Sequence, residues 1–321
     1  MAVGTGMNES LNYAEEYSRD LANQFPYVLY FGALYATPNN GRYTPIDAKT
    51  IKIPTLRTTG RKSANRDTIT DAKRNYDNDW EVKTLTNERY WKTLVHPKDV
   101  DQTNYATTIQ NITQTFNQFQ KFPEMDAYTV SKIYADWVQV ESELTGEDHV
   151  ADDTVITVEN ALAVFDQMML NMDNARVPAS GRILYVTNEI KYILKEAEKI
   201  SRYISVEGNS PSVINRNISR LDEVEIVSVP ATLMRTLYDF SEGWEPDENA
   251  KQINMMLIHP LVVITPVSYE FAQLDPPAAG SDGKYIYYEE SHEDVFILNK
   301  QSDGIQFNVT DIESSSSSST N

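Results

Sequence analysis

An apolar stripe with helical spacing runs along residues 105–144. Steps of four and three residues from Tyr105 reach twelve positions, and ten of them are apolar or aromatic. Residues spaced in this way lie on one face of a helix. The pattern therefore predicts a long spine helix whose core face is made by Tyr105, Ile109, Ile112, Phe116, Phe119, Val130, Ile133, Trp137, Val140 and Leu144.

The two exceptions within the stripe are Pro123 and Asp126. Proline lacks a backbone N–H, so it predicts a kink or a restart of the helix. Because the apolar spacing keeps its phase on both sides, we expect a bend within one helix rather than a boundary between two domains. A carboxylate on an inner face needs a partner. Asp126 is therefore expected to make a hydrogen bond or a salt bridge across the core.

The residues before the spine predict a projecting β-hairpin. Residues 49–56 and 80–95 alternate between apolar and polar positions, as strands with one buried face do. The polar, turn-rich segment between them would form the tip, and Pro54 restricts the first strand to a sheet edge. A two-stranded ribbon is marginal alone in water, so the hairpin is expected to rest on another surface.

An aromatic segment, residues 25–45, precedes the hairpin and is broken by Gly and Pro. This composition indicates an extended arm that must lie on something apolar. The arm residues to which we assign a role are Tyr27, Tyr30, Phe31 and Tyr35.

Helices and strands alternate in the second half of the chain, which predicts a mixed α/β domain. Its expected elements are a helix over 158–174 capped by Thr157, a strand over 182–186, a helix capped by Thr187 or Asn188, a strand over 224–229, and an apolar strand over 253–264 interrupted by Pro260. Residues 283–310 predict two or three antiparallel strands. The Ser-rich residues after them cannot build a core and are expected to be mobile.

Charge is unevenly distributed along the chain, whose net charge is −19. Residues 49–99 hold twelve Lys and Arg against seven Asp and Glu, whereas residues 222–321 hold four against eighteen. Oppositely charged regions attract each other within one molecule or between copies; the alternative is that both are solvated faces. The first residues lack a basic stretch followed by an apolar run, so no signal peptide is expected.

Candidate catalytic and metal-binding chemistry is sparse. There are no cysteines, and no phosphate-binding glycine loop, nucleophile elbow or zinc-protease motif is present. His292 lies among Glu289, Glu290, Glu293 and Asp294, a group that suggests a hard metal ion. Neighbouring residues on a strand point to opposite faces, so at most half of these carboxylates could converge. We expect a solvated acidic strand or loop, no catalytic site and no cofactor.

The hairpin tip contains Arg57, Arg61, Lys62 and Arg66, with no acidic residue among 57–66. A basic loop of this kind contacts phosphates without sequence preference, although it lacks the aromatic residues that stack on bases. The other interpretation is that this charge meets the acidic region of residues 222–321, and we favour it because the chain itself supplies that acidic region.

The order of arm, hairpin, spine, α/β domain and returning strands resembles the major capsid protein of tailed bacteriophages, with its Hong Kong 97-type fold. The most specific similarity is FPEMDAYTVSKIYADW, residues 122–137, which resembles a segment late in the spine helix of many phage coat proteins. GRILYVTNEIKYILKEAE, residues 181–198, is similar to a strand and helix of the axial domain. The closing strands, residues 283–309, also fit.

The resemblance implies an α+β fold with a defined division of the chain. The expected parts are an N-terminal arm (1–45), an extended hairpin called the E-loop (46–100), the spine helix of the peripheral domain (101–150), the axial domain (151–265), returning strands of the peripheral domain (266–311) and a disordered tail (312–321).

The resemblance also implies a structural function without catalysis. Subunits of that family form pentamers and hexamers of an icosahedral shell around double-stranded DNA, which they hold without sequence-specific contacts. The arm residues would clamp neighbouring subunits, and the tip residues would bridge to an adjacent subunit. Some relatives carry a long N-terminal scaffolding segment, whereas about forty residues precede the hairpin here. We therefore expect the scaffold to be a separate protein. The resemblance further implies a separate portal protein, assembly in the host cytoplasm and a final location in the virion.

Two alternatives remain open from the sequence. The same fold builds encapsulin-type compartments that enclose cargo proteins. A surface adhesin or pilus subunit is the third class, and the missing secretion signal argues against it.

Overall fold

The computed structural model describes residues 27–43, 49–61, 74–102, 108–197 and 220–312. Predictions that concern residues 1–26, Lys62, Arg66, Tyr105 or the tail after Ile312 lie outside the described residues. Among the helices that are described, none combines the length and the apolar content that a membrane span requires.

Helices and strands alternate along these ranges. The helices are α1 (Gly32–Tyr35), α2 (Pro97–Gln102), α3 (Ile109–Phe116), α4 (Phe122–Gln139), α5 (Ala161–Asn174) and α6 (Asn188–Glu196). The strands are β1 (Thr50–Thr58), β2 (Tyr76–Thr84), β3 (Glu88–Val95), β4 (Ile183–Thr187), β5 (Arg220–Leu221), β6 (Val224–Val229), β7 (Tyr238–Asp239), β8 (Glu245–Pro246), β9 (Gln252–Ile258), β10 (Val263–Ile264), β11 (Val267–Asp275), β12 (Tyr285–Glu293), β13 (Phe296–Ile297) and β14 (Ile305–Thr310).

The spine consists of α3, a π-helical turn over Asn117–Lys121 and α4, which follow one another without a gap. Thr108 caps its start, because the Thr108 side chain accepts a hydrogen bond from the backbone N–H of Asn111 at 3.3 Å. The spine ends at Gln139, since Val140 is extended. The structure thus has the predicted spine over residues 109–139.

The prediction for the last position of the apolar stripe, Leu144, was wrong. Leu144 was placed on the core face of the helix, but it lies beyond the helix and is 56 % exposed. Residues 143–145 form a turn, in which Gly146 N donates to Ser142 O at 2.8 Å and Gly146 has a positive φ of 71°. The helical spacing of Leu144 is therefore coincidental, because the backbone has already turned away from the helix axis.

Pro123 lies in the first turn of α4, directly after the π-helical turn. The N–H of Phe122 donates to the carbonyl of Asn117, five residues earlier. A proline offers no N–H, and its ring crowds the carbonyl four residues before it. The extra residue in the π turn accommodates both effects. Because Phe116, Lys121 and Phe122 keep right-handed helical dihedral angles, the spine continues as one element through Pro123.

The predicted hairpin is formed by β1 and β2, which pair antiparallel in a continuous register from Thr50 with Thr84 to Thr58 with Tyr76. Its base is anchored in a small core that contains Ile51, Ile53, Leu85, Ile264, Phe296 and Leu298. The sequence predicted one strand over 80–95, and this was wrong. Residues 85–87 separate β2 from β3, because Thr86 leaves the ladder and donates to the Asp294 carboxylate from its backbone N–H at 2.8 Å.

β3 forms a three-stranded antiparallel sheet with β12 and β11, in the order β11-β12-β3. One face of this sheet carries Arg89 and Trp91 and packs on the spine. The Trp91 ring stacks on Phe116 with centroids 3.9 Å apart, and Arg89 Nε contacts Glu124 Oε1 at 2.7 Å. The other face, described below, carries a group of exposed aromatic residues.

The α/β domain is built on a five-stranded sheet of order β14-β9-β4-β6-β5, in which only β4 and β6 are parallel. Alternate residues of β4 point to opposite faces. Leu184 and Val186 pack with α5 and α6, whereas Ile183 and Tyr185 pack toward the spine. The sheet is therefore a middle layer between two sets of helices.

β14 does not join the three-stranded sheet of returning strands. The sequence grouped residues 266–311 with the peripheral domain, but Ile305–Thr310 pairs with β9 at the edge of the five-stranded sheet. The reason is packing, because Phe307 is buried against Trp137 and Tyr134 of the spine, with ring centroids 5.0 Å and 5.2 Å away. The last strand thus links the α/β domain to the spine.

The spine is buried unevenly. Ala127, Val130, Ile133 and Trp137 of α4 are at most 2 % exposed and belong to the main core. The predicted core residues of the first half are only partly buried: Ile109, Ile112, Phe116 and Phe119. The stripe therefore reaches full burial only where the α/β domain covers it.

Candidate functional site: the arm, the hairpin and the outer sheet face

A buried carboxylate on the spine holds the aromatic arm. Asp126 has no exposed surface. Its Oδ2 accepts hydrogen bonds from Tyr27 Oη at 2.5 Å and from the backbone N–H of Tyr30 at 2.9 Å, and its Oδ1 accepts from the N–H of Phe31 at 3.1 Å. The sequence predicted a hydrogen bond or salt bridge for Asp126, and the structure has hydrogen bonds, all donated by the arm.

Burial raises the pKa of Asp126 to about 6, although its three hydrogen bonds act in the opposite direction. Burial and the neighbouring carboxylate also raise the pKa of the Tyr27 hydroxyl, which therefore stays protonated and donates. A raised pKa means that the folded state binds a proton at Asp126 more tightly than the unfolded chain does.

The arm is tied to its own subunit further along as well. Tyr35 Oη shares a hydrogen bond with Thr129 Oγ1 of the spine at 2.7 Å. Thr37 Oγ1 donates to the carbonyl of Pro260 at 2.8 Å, and Asn40 exchanges two hydrogen bonds with Thr265, at 2.7 Å and 2.9 Å. Residues 27–43 thus bridge the spine and the strands after residue 260.

The sequence assigned Tyr27, Tyr30, Phe31 and Tyr35 to contacts with neighbouring subunits. Phe31 has no surface left for such a contact, because it is fully buried and its ring centroid lies 4.6 Å from that of Tyr185. The three tyrosines are partly buried and contact their own subunit. That the arm clamps a neighbouring subunit stays a prediction. Phe31 cannot take part in such a contact, because it is buried.

The hairpin has one apolar face that the described residues leave exposed. Residues that pair directly across an antiparallel ladder share a face. The pairs Thr58–Tyr76, Leu56–Asn78, Pro54–Trp80 and Lys52–Val82 therefore lie together. Leu56, Tyr76, Trp80 and Val82 each expose more than half of their surface. We call this group, with Pro54, the hairpin outer face.

The described part of the hairpin tip is exposed and positively charged. Arg57 and Arg61 are exposed, and Arg74 Nη2 pairs with Asp77 Oδ1, three residues later at the start of β2, at 2.8 Å. Lys62 and Arg66 lie outside the described residues. Arg57 faces Asp77 across the ladder, so part of the tip charge is balanced within the hairpin.

The three-stranded sheet has a second apolar face that no described part of the chain covers. Tyr90 pairs with Glu290, which pairs with Phe271, and Leu94 pairs with Ile286, so these side chains lie on one side. Tyr90 and Leu94 are 75 % and 60 % exposed. Ring contacts connect the aromatic members, with centroid distances between 6.2 Å and 6.5 Å. We call this group the outer sheet face: Tyr90, Leu94, Tyr269, Phe271, Ile286 and Tyr288.

An acidic cleft of about 910 Å³ lies between the three-stranded sheet, the spine and residues 242–246. Its carboxylates include Glu270, Glu290 and Glu293, and burial raises the pKa of Glu293. Lys121 and Arg89 are the only basic residues in its described lining, and they pair with Glu289 and Glu124. The remaining carboxylates give the described lining of the cleft an excess of acidic over basic residues. Glu290 also lies on the outer sheet face, so the cleft adjoins that face.

The acidic group around His292 is used in other ways. Asp294 accepts hydrogen bonds from Thr86 and from Tyr128 Oη, the latter at 2.8 Å. Glu289 and Glu290 accept hydrogen bonds from the hydroxyls of Tyr287 and Tyr288. Burial and the Glu289 carboxylate raise the pKa of Tyr287 to about 12, and the Glu290 carboxylate and burial raise the pKa of Tyr288 to about 12. Within the described ranges, no cluster of three His, Asp or Glu side chains is arranged to hold a metal ion.

Sequence reasoning missed two features of these surfaces. β11 was not recognised, although the alternation of Val267, Tyr269 and Phe271 with polar residues is a strand signal. The role of Asp294 as the partner of Thr86 and Tyr128 was also missed. No local pattern reveals it, because the partners are 208 and 166 residues away in sequence.

Replacement of Asp126 by alanine should destabilise the subunit. Asp126→Ala leaves the amides of Tyr30 and Phe31 and the Tyr27 hydroxyl without their acceptor, and we expect a loss of about 2–4 kcal/mol in the free energy of unfolding. Urea unfolding of unassembled subunits, followed by tryptophan fluorescence, measures it. Asp166→Ala, an exposed Asp on α5, is the matched control and should change stability by less than about 0.5 kcal/mol. Equal effects of the two substitutions would contradict the assigned role.

The raised pKa of Asp126 predicts a pH dependence. Its contribution to stability is fully present below the unfolded pKa of about 3.8 and is lost as pH rises through about 6. Between pH 4 and pH 7 the wild-type chain should therefore lose stability relative to Asp126→Asn, which cannot ionise. The difference between the two urea midpoints across this range is the measurement, and other groups cancel in it. Parallel curves would show that Asp126 keeps an ordinary pKa.

Comparison with solved structures identifies the fold. The chain is similar to a structure of Mycobacterium phage Che8, with 14 % identity, 94 % of this chain and 98 % of that chain covered, and a TM-score of 0.64. It is also similar to the mature capsid of bacteriophage PhiM1 (14 % identity, 94 % and 92 % covered, TM-score 0.68) and to the head of Helicobacter pylori bacteriophage KHP40 (10 % identity, 96 % and 98 % covered, TM-score 0.61). No protein-family model and no curated protein matches the sequence. The prediction of an α+β, Hong Kong 97-type fold is confirmed, and the chain has the fold of phage capsid subunits over nearly its whole length.

Proposed function

We propose that this chain is the major capsid protein of a tailed bacteriophage, and that its copies assemble into pentamers and hexamers of an icosahedral shell around double-stranded DNA. The observation that carries the proposal is the similarity to capsid and head structures along more than nine-tenths of the chain. Its function is structural rather than catalytic.

The uncovered surfaces support assembly with further copies. Soluble monomers rarely expose contiguous apolar patches larger than roughly a few hundred Å², and patches above that size mark interaction sites. This subunit exposes the hairpin outer face and the outer sheet face on two different sheets. Two distinct patches on one chain fit a head-to-tail contact, which closes into rings when the rotation between subunits allows it.

The parts of the chain take the following roles in this proposal. The spine supports the peripheral domain, and the axial domain, residues 151–265, meets its symmetry mates at the capsomer centre. The net charge of −19 disfavours binding of the shell to the phosphates of the packaged DNA. Separate scaffold and portal proteins act in assembly in the host cytoplasm, and the product is the capsid of the virion.

An encapsulin-type compartment is the alternative shell. It is not favoured, because the similar structures include the mature capsid of one phage and the head of another.

Electron microscopy tests the proposed function directly. The full chain, expressed alone and with the candidate scaffold gene beside it, should form closed shells of uniform size that sediment as particles. DNA packaged by a portal and terminase from the same gene cluster would distinguish a phage head from a cargo compartment. Persistent monomers under both conditions would contradict the proposal.

The hairpin tip should contribute to assembly through its charge. Replacing Arg57, Arg61, Lys62 and Arg66 by Glu should impair shell formation at low salt, because the tip would then repel the acidic surface of the next subunit. Added salt should partly restore assembly, since it screens charges that are exposed to solvent. Particle yield from sedimentation is the measurement.

A charge-conserving variant is the control for that experiment. Arg57→Lys, Arg61→Lys and Arg66→Lys keep the positive charge of the tip, so this variant should assemble as the wild-type chain does. Normal assembly of the Glu variant at low salt would rule out an electrostatic contact by the tip.

A further inference from the structure

We propose that His149 is an acid-sensitive latch at the junction between the spine and the α/β domain. With a neutral imidazole ring, His149 closes the turn over residues 141–149 against the spine and against the segment before β14. When the ring takes up a proton, the turn opens. This role goes beyond the shell function and does not depend on it, because the contacts that carry it lie within one subunit.

The latch lies on a short connection of the chain. The spine ends at Gln139. The chain then joins the edge of the five-stranded sheet at Asp152, whose N–H donates to the carbonyl of Phe307 in β14 at 3.0 Å. Residues 141–149 form the turn between these two points. The turn is therefore the direct chain connection from the spine to the α/β domain, and its opening would loosen their contact.

Asp303 holds this turn at both of its ends. Its carboxylate accepts hydrogen bonds from Ser142 Oγ and, at 3.1 Å, from the backbone N–H of Leu144. His149 lies at the other end of the turn, with Nε2 3.9 Å from Asp303 Oδ1. Asp303 belongs to the 3-10 helical segment Asn299–Gly304, directly before β14. The closed turn thus joins residues that are more than 150 positions apart in sequence.

The surroundings of the His149 ring fit its neutral form. The side chain is 7 % exposed, and its ring stacks on Trp137 of α4 with centroids 4.7 Å apart. Nε2 is enclosed and has no hydrogen-bond partner among the described residues. The distance of 3.9 Å to Asp303 is too long for a hydrogen bond. A protonated ring donates from both nitrogens, so a proton at Nε2 would be buried without an acceptor.

The charges around the ring support a proton only in part. Burial lowers the pKa of His149, although the carboxylates of Asp303 and Asp148 act in the opposite direction. Trp137 carries no charge, and its ring face also attracts a cation. A closed turn with a lowered histidine pKa binds the proton less tightly than the open turn does. Its stabilisation is therefore fully present above the ordinary pKa of about 6.5 and is lost as pH falls below that value.

His259 is a second histidine whose pKa is lowered by burial. Its ring nitrogens both have partners, because Nδ1 accepts from the N–H of Leu261 at 3.2 Å and Nε2 lies 3.2 Å from the carbonyl of Ser180. His259 and Leu144 also line the same cleft of about 470 Å³. The response of the turn to acid must therefore be measured in variants of each histidine.

Hydrogen exchange of unassembled wild-type subunits tests the latch. Amide protection of residues 141–149, corrected for the intrinsic pH dependence of exchange, should be about three- to tenfold lower at pH 5 than at pH 7.5, since one pKa unit corresponds to a tenfold change in population. His149→Phe keeps a ring on Trp137 and cannot ionise, so its turn should be equally protected at both pH values. His149→Gln, which cannot ionise either, gives the same comparison if His149→Phe does not fold.

Variants of two other histidines complete the comparison. His96→Gln changes a histidine outside the turn, whose Nδ1 accepts from Lys98 N at 3.1 Å, and it should keep the acid response of the wild-type chain. Persistence of the response in His149→Phe overturns the proposal, and its loss in His259→Gln would then assign it to His259. A wild-type turn that is equally or better protected at pH 5 also overturns it, because the proton would not open the turn.

Nuclear magnetic resonance of ring-labelled histidine measures the titration itself. The chain has four histidines, so the signal that is missing from His149→Gln identifies His149. Its pKa should lie below about 6.5, and Asp303→Asn should lower this pKa further, because the variant removes a carboxylate that attracts the proton. An unchanged pKa in Asp303→Asn would contradict the contact between the ring and Asp303. All these measurements use unassembled subunits, so a failure of shell formation leaves the latch standing, and a failure of the latch leaves the shell function standing.

Discussion

Asp126 accepts three hydrogen bonds from the arm inside the protein, and the path of the chain before the hairpin depends on them. The carboxylate sits on the buried face of α4 and has no exposed surface. Tyr27 and the backbone of Tyr30 and Phe31 supply its donors. Phe31 then reaches Tyr185 of the middle sheet, so the arm, the spine and the α/β domain share one core. A buried carboxylate with only part of this set would be strongly unfavourable.

Asp294 plays a comparable role for the projecting hairpin. It accepts hydrogen bonds from Thr86 at the hairpin base and from Tyr128 of the spine. These bonds separate β2 from β3 and set the direction in which the hairpin leaves the subunit. Two buried carboxylates thus position the two segments that the fold extends away from its core. Both act through hydrogen bonds between parts of the chain that are far apart in sequence.

The core of the single chain is well buried, whereas two parts of its described surface expose apolar side chains. The middle sheet and the second half of the spine are buried to the degree expected of a stable domain. The hairpin and the three-stranded sheet instead leave aromatic and aliphatic side chains in water. Such a distribution is natural for a chain that folds first and completes its apolar contacts with other copies.

Much of the fold could be predicted from local pattern. β6 begins and ends where the apolar run over 224–229 placed it, and Thr187 caps α6 by accepting from Ile190 N. These features depend on neighbours within a few residues, which a sequence displays directly. The break at residues 85–87 and the pairing of β14 with β9 could not be predicted, because each depends on a partner distant in sequence. Phe31 was assigned to an intersubunit contact for the same reason, since its burial depends on Tyr185.

The sequence by itself determined the spine, the alternating strands of the hairpin and the uneven charge, because helical spacing, strand alternation and net charge are local properties. It also required that Asp126 find a partner. The tertiary structure alone decided that this partner is the arm, that the spine passes Pro123 through a π turn, and that the described residues leave two apolar faces exposed. Those outcomes depend on which segments contact each other in the folded chain. The residues near each position in the sequence carry no signal for such contacts.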